Sequence, residues 1–142
     1  MSNKREVIIP SGMEILYEKY HYCPGIKVGN TLYISGQVGR DENLQVVEDT
    51  EAQFVQAFEN VNKVLLAAGS SFDDVVEMIT YHVTEANVAE SQQLIIPHLP
   101  LFIQVKDRYF TNQYPTWTGV GVTGLSTAGL IVEIKCTAVL DH

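Results

Sequence analysis

The chain has 142 residues, 46% of them hydrophobic and 18% charged, the make-up of a folded chain with a real core and not of a disordered segment. Seventeen acidic against nine basic side chains leave a net charge of −8. Lys27, Arg40, Lys63, Lys106, Arg108 and Lys135 are scattered, so no basic stripe offers itself to a phosphate backbone and nucleic-acid binding is not expected. No apolar run is long enough to span a bilayer. Val7-Ile8-Ile9-Pro10, after the basic pair Lys4-Arg5, is too short for a signal peptide, and a cytoplasmic protein without membrane contact is the expectation.

No repeat, low-complexity tract or linker divides the sequence, so residues 1–142 are read as a single domain. Ile26–Val38 has strand composition, with Thr31-Leu32-Tyr33-Ile34-Ser35 alternating after the turn signal Gly29-Asn30. Gly36 and Gly39 interrupt it and point to a bulge or a close backbone approach. Thr50-Glu51-Ala52-Gln53 fits a capping box that opens a helix. Phe54, Phe58, Val61 and Leu65 form its apolar face, and Gly69 supplies its left-handed end.

Asp74–Thr84 reads as a strand, with Val76, Met78, Thr80 and His82 on one side and Val75, Glu77, Ile79, Tyr81 and Val83 on the other. Pro97 and Pro100 do not fit a helix interior, so Asn87–Ile96 is taken as irregular or briefly helical and Leu101–Phe110 as the firmer helix. Two strands follow, Thr116–Gly124 and Leu130–Leu140, joined by Ser126-Thr127-Ala128-Gly129. This order suits an α+β fold with two helices packed on one face of a mixed sheet. The other face still carries Val, Ile and Tyr, and apolar surface of that extent points to self-association.

Cys23 and Cys136 have no metal-ligand spacing. Counting permits one disulfide, while two ordinary thiols are the simpler reading. His21, His82, His98 and His142 lack the paired spacing of a metal site. No phosphate loop, dinucleotide fingerprint or nucleophile elbow is present, and no cofactor is expected.

Val28-Gly29-Asn30-Thr31-Leu32-Tyr33-Ile34-Ser35-Gly36-Gln37, Leu66–Val76, Tyr114-Pro115 with the strand after it, and Val132-Glu133-Ile134 with Ala138-Val139 resemble, in order, the signature blocks of the RidA/YjgF family. The resemblance runs from about Tyr22 to Leu140. It implies a chorismate-mutase-like α+β fold and a homotrimer whose sheets form an inner barrel, with small-molecule clefts between subunits. In deaminating members an arginine on the penultimate strand holds a substrate carboxylate, and a glutamate on the last strand acts on water to hydrolyse an imine or enamine.

Here the penultimate strand reads Pro115-Thr116-Trp117-Thr118-Gly119-Val120-Gly121-Val122, and Trp117 stands in the arginine's place. An indole has one donor and no charge, so it cannot form that ion pair. The strand resembles the YjgH-like branch of the family. An asparagine of deaminating members matches Ile103, beside Pro97-His98-Leu99-Pro100, which reads as an insertion.

Glu133 is the candidate catalytic carboxylate. Its plainer reading is a solvated sheet residue, paired with a lysine such as Lys135. Tyr22, Ser35, Gly36, Trp117 and Thr118 are the candidate ligand contacts. Tyr22 and Trp117 could equally be packing residues, whereas Gly36 would let backbone approach a ligand.

The first expectation is therefore a small-metabolite-binding trimer that is not a standard imine deaminase. A divergent deaminase would need another cation, and Lys27 or Arg40 are the candidates. A regulatory interaction protein and the RNA cleavage ascribed to some relatives complete the alternatives, the last disfavoured by charge.

Overall fold

The computed structural model describes residues 4–84 and 96–141. Its centre is a seven-stranded mixed sheet: β1 (Glu6–Ile8), β2 (Gly25–Val28), β3 (Thr31–Ile34), β4 (Gln37–Val38), β5 (Val75–Val83), β6 (Thr116–Val122) and β7 (Val132–Val139). The order is β1-β2-β3-β7-β5-β6, with β4 pairing with β7 just beyond the end of β3. Only β5 and β6 run parallel, and the other pairs are antiparallel. The helices are α1 (Glu14–Glu18), α2 (Thr50–Ala67) and α3 (Leu99–Asp107).

The 26–38 stretch folds as the sequence indicates. Gly29 takes φ +59° to turn β2 into β3, a conformation a side chain disfavours. Tyr33 pairs with Thr137 and Gln37 with Ile134. Four steps along one strand thus match three along the other, which is a bulge at Ser35-Gly36.

Helix α2 buries Phe54, Ala57, Phe58, Val61, Val64 and Leu65 against the sheet. Phe102 of α3 meets Phe54 edge-on at 5.2 Å and stacks on Phe58 at 5.5 Å, so both long helices share one core. Gly69, at φ +74°, ends α2 as expected.

The capping box is displaced by one residue. Asp49 is the cap, its Oδ2 accepting from Ala52 N at 2.9 Å, the orphan donor three residues on that a carboxylate at the cap reaches. Gln53 instead turns inward. Its Nε2 donates to Val47 O and Gly129 O, and its Oε1 accepts from Ile131 N at 2.7 Å.

The alternation expected along β5 also shifts. A bulge at Val76, between the pairs Val75–Ala138 and Glu77–Thr137, brings Val75 to the buried side with Met78, Thr80 and His82 and leaves Val76 exposed. Helix α3 begins two residues before Leu101, because Pro100 falls in its first turn, where a missing N–H costs nothing. It ends at Asp107 and not at Phe110. The remaining strands are shorter than expected, and β1 and α1 were not anticipated. The stretch Asn87–Ile96 lies outside the described residues apart from Ile96. Cys23 and Cys136 are both free thiols. Among the described residues, no helix is long and apolar enough to cross a membrane.

Candidate functional site

Glu133 lies on β7, where Val38 of β4 is its partner on one side and Tyr81 of β5 on the other. Its half-buried side chain folds back over Gly36. A methyl group at residue 36 would sit 2.8 Å from Glu133 Cδ, so the bulged glycine is what gives the carboxylate its seat.

Ser35, next to it, donates its hydroxyl to Cys23 O at 2.6 Å and its N–H to Pro24 O at 2.9 Å. These bonds tie the bulge to the segment that carries Tyr22. Burial raises the pKa of Tyr22 above its ordinary value; Arg40 pulls it back, and Glu133 and Tyr20 push it up again. The phenol therefore stays protonated at neutral pH and can donate a hydrogen bond. The sequence candidates Tyr22, Ser35, Gly36 and Glu133 thus converge.

Trp117 and Thr118 are elsewhere. Trp117 is paired with Met78, Thr118 with Ile79 and Val120 with Tyr81. Ladder partners point to one side, and neighbours along a strand alternate. Glu133, Tyr81, Val120 and Thr118 therefore share the outer face, while Trp117 and Met78 share the helix-packed face. Trp117 lies against Phe102, with ring centroids 5.9 Å apart, and Lys106 Nζ stands 5.0 Å over the indole. Its Nε1 donates to Thr80 Oγ1 at 2.9 Å, and that oxygen lies 2.7 Å from His82 Nε2. Burial lowers the pKa of His82, which keeps the imidazole neutral in this chain of contacts. Thr118 shares the face of Glu133 but stands two strands across and two residues along, about 12 Å away.

Cys136 is on the core face with Met78, and burial pushes its thiol up to about 12, slightly offset by Lys135. It offers no thiolate nucleophile. Among the described residues no group of three or more His, Cys, Asp or Glu could hold a metal ion.

A cavity of about 330 Å³ opens beside Gly36 and Tyr22. Arg40, Gln37, Asn60 and Lys63 line it. The sequence reading had named Arg40 only as a substitute cation and had not singled out the two amides. Asn60 and Gln37 are buried polar residues, and a polar residue on the inner face of a helix was the signal available for Asn60.

An α+β sheet of this order defines a class with many solved structures. The chain belongs to the RidA/YjgF family: the family model described as endoribonuclease L-PSP matches residues 15–140. It is 35% identical to the RutC family protein YjgH of Escherichia coli strain K12, over 95% of both chains. It is 30% identical to a 3-aminoacrylate deaminase RutC of Acinetobacter baylyi, over 94% of this chain and 97% of that protein. A solved structure of protein YjgH superposes with a TM-score of 0.78 at 34% identity, covering 97% and 98% of the two chains.

Proposed function

We propose that this protein binds a small metabolite at the Gly36–Glu133 seat and is not a standard imine deaminase. The observation that carries the reading is the separation of Glu133 from residue 117 by the thickness of the sheet, with a tryptophan there committed to Phe102 and Thr80. A ligand at Glu133 therefore meets a carboxylate and the Tyr22 phenol, without a guanidinium from β6.

A chorismate-mutase-like homotrimer with a barrel of sheets at its centre is part of the same proposal. Support comes from the outer sheet face, where Tyr33 and Val139 are about half exposed beside Ile79 and Tyr81; apolar surface of that kind is ordinarily covered. In such an assembly the clefts lie between subunits, and a neighbouring chain's β6 edge, with Thr118, would complete the seat that one chain leaves open.

The relative named 3-aminoacrylate deaminase favours a second reading, enamine hydrolysis by a modified mechanism. Arg40 is the cation that acts electrostatically on Tyr22 beside Glu133. Lys27 lies on β2, opposite Leu32.

Two measurements separate the readings. Thermal shift against a metabolite set should show stabilisation that Glu133→Gln abolishes. Hydrolysis of amino-acid-derived enamines should proceed no faster than in buffer. Enamine turnover that disappears in Glu133→Gln would replace binding by the deaminase reading, and a chain that stays monomeric by light scattering would remove the inter-subunit cleft.

A further inference from the structure

The cavity beside the seat differs from it in position and in chemistry. Its lining comes from α1 and the turn before it (Ser11, Met13, Leu16), from β4 and the following loop (Gln37, Val38, Arg40), and from α2 (Asn60, Lys63). It touches the Glu133 seat only through Tyr22 and Gly36.

At about 330 Å³ it is at the small end of ligand pockets, which combine apolar walls with a few convergent polar groups. Met13, Leu16 and Val38 form such a wall. Two basic residues, Arg40 and Lys63, are among those that line the cavity. The ion pairs among the described residues are Lys106–Asp107 and Arg108–Glu51, so neither cavity cation is paired there.

That is notable in a chain with seventeen carboxylates and nine Lys and Arg. Of the two acids at the rim, Asp41 is occupied by its own turn, its Oδ1 accepting from Asn43 N and Gln45 N, and Glu42 is exposed. Arg40 donates through Nη2 to Thr127 Oγ1, and among the described residues the rest of its fork of donors is unused.

A further observation comes from the cavity floor. Gln37 is 5% exposed, and its Nε2 donates to Ser35 O at 3.1 Å. Its Oε1 accepts no hydrogen bond from the described residues, although the side chain lines the cavity. Asn60, by contrast, is fully engaged, bonding Val38 O, Arg40 O and Gln56, and so holds the loop that aims Arg40. The oxygen is not sealed from solvent, and an amide oxygen open to a cavity can accept from a donor on whatever fills it.

We propose that this cavity is a second binding site, for a small organic anion: a carboxylate or phosphate held by Arg40 and Lys63, on a short apolar body against Met13 and Leu16, with a hydroxyl or amine donating to Gln37. The site stands whether or not the Glu133 seat binds anything.

Met13 provides a local reporter, because the other methionines are Met1 at the terminus and Met78 on the core side of β5. The full-length protein, labelled with 13C at the methionine methyls, would be titrated with isobutyrate, isobutyl phosphate and neutral isobutyramide. Both anions should move the Met13 signal saturably while Met78 stays in place, and the anion that saturates at lower concentration names the preferred group.

Arg40→Gln should weaken the response about tenfold or more, as expected for a lost charge-assisted bond, and Arg40→Lys should keep most of it. Lys63→Gln, on an α2 that Asn60 still anchors, carries the same test if Arg40→Gln does not fold. In Glu133→Gln the Met13 response should persist, which separates this site from the seat. A Met13 signal unmoved by either anion, moved equally by isobutyramide, or indifferent to both Arg40→Gln and Lys63→Gln would overturn the proposal.

Discussion

Glu133 folds its carboxylate over the bulged Gly36: the carboxylate occupies the volume that any side chain at residue 36 would need. Gly36→Ala therefore forces one specific outcome. The obstructing atoms are the end of a flexible side chain, and Gly36 has no positive φ, so the backbone tolerates alanine. Stability should fall by no more than about 1 kcal/mol, while ligand-induced thermal stabilisation at the seat is lost because Glu133 is displaced. Urea unfolding together with thermal shift checks both halves.

Gly39→Ala should behave in the opposite way. A methyl there would fall 2.5 Å from the backbone oxygen of Gln53, and a helix backbone cannot step aside as a carboxylate can. The expected cost is about 1–3 kcal/mol or more, read as a lower urea midpoint with no special effect on the seat. Equal effects of the two alanines would mean that Glu133 is not free to move.

These two glycines show what was legible beforehand. Both were read from sequence as a bulge or a close approach, and both are, because a glycine interrupting an alternating strand has few other uses. The strand order was not legible. Nothing in 75–83 announces that Val76 bulges, since a bulge is set by the register of β5 on β7 and by no residue of its own. The cap moved from Thr50 to Asp49 for a related reason: two adjacent residues could each cap, and the inward pull of Gln53 decided between them. For the proposed seat, Tyr22, Ser35, Gly36 and Glu133 were named through the family pattern, and the fold brings them close together. The direction of Trp117 was not, because periodicity along β6 assigns alternate sides without saying which side faces the helices.

Gln53 links three separate stretches, the loop at Val47, the turn at Gly129 and the start of β7 at Ile131. Gln53→Leu keeps the volume but strands two carbonyls and one N–H. Buried groups left unpaired cost about 1–3 kcal/mol each, so a loss of at least about 3 kcal/mol is expected, with faster amide exchange at Ile131. A loss under about 1 kcal/mol would show that water replaces the amide without difficulty.

Trp117 offers a test of its packing role. Trp117→Phe keeps an aromatic ring against Phe102 and removes the indole N–H from Thr80, at a cost of about 1 kcal/mol. Trp117→Arg restores the family's residue type, yet places the guanidinium under Lys106, where like charges repel. The arginine variant should be the less stable of the two in urea, and enamine hydrolysis should stay at the buffer rate unless the side chain escapes to the outer face.

The neutral His82 sets a pH limit on the fold. Its pKa in the folded chain lies below the ordinary 6.5 because burial penalises the cation, while the unfolded chain titrates near 6.5. Between those two values the unfolded state binds the extra proton, so stability rises with pH across the window and falls as the solution is acidified below about 6.5. The groups facing the ring do not reverse this sign: Thr80 Oγ1 is uncharged, and Phe102 meets the imidazole edge-on at 4.9 Å. The melting temperature should therefore decline between about pH 7 and pH 5. His82→Gln, which can still bond Thr80, should lower the melting temperature at neutral pH and flatten that decline. An imidazole that titrates at or above 6.5 by NMR would contradict the burial argument, and a His82→Gln profile parallel to the parent's would assign the acid sensitivity to other groups.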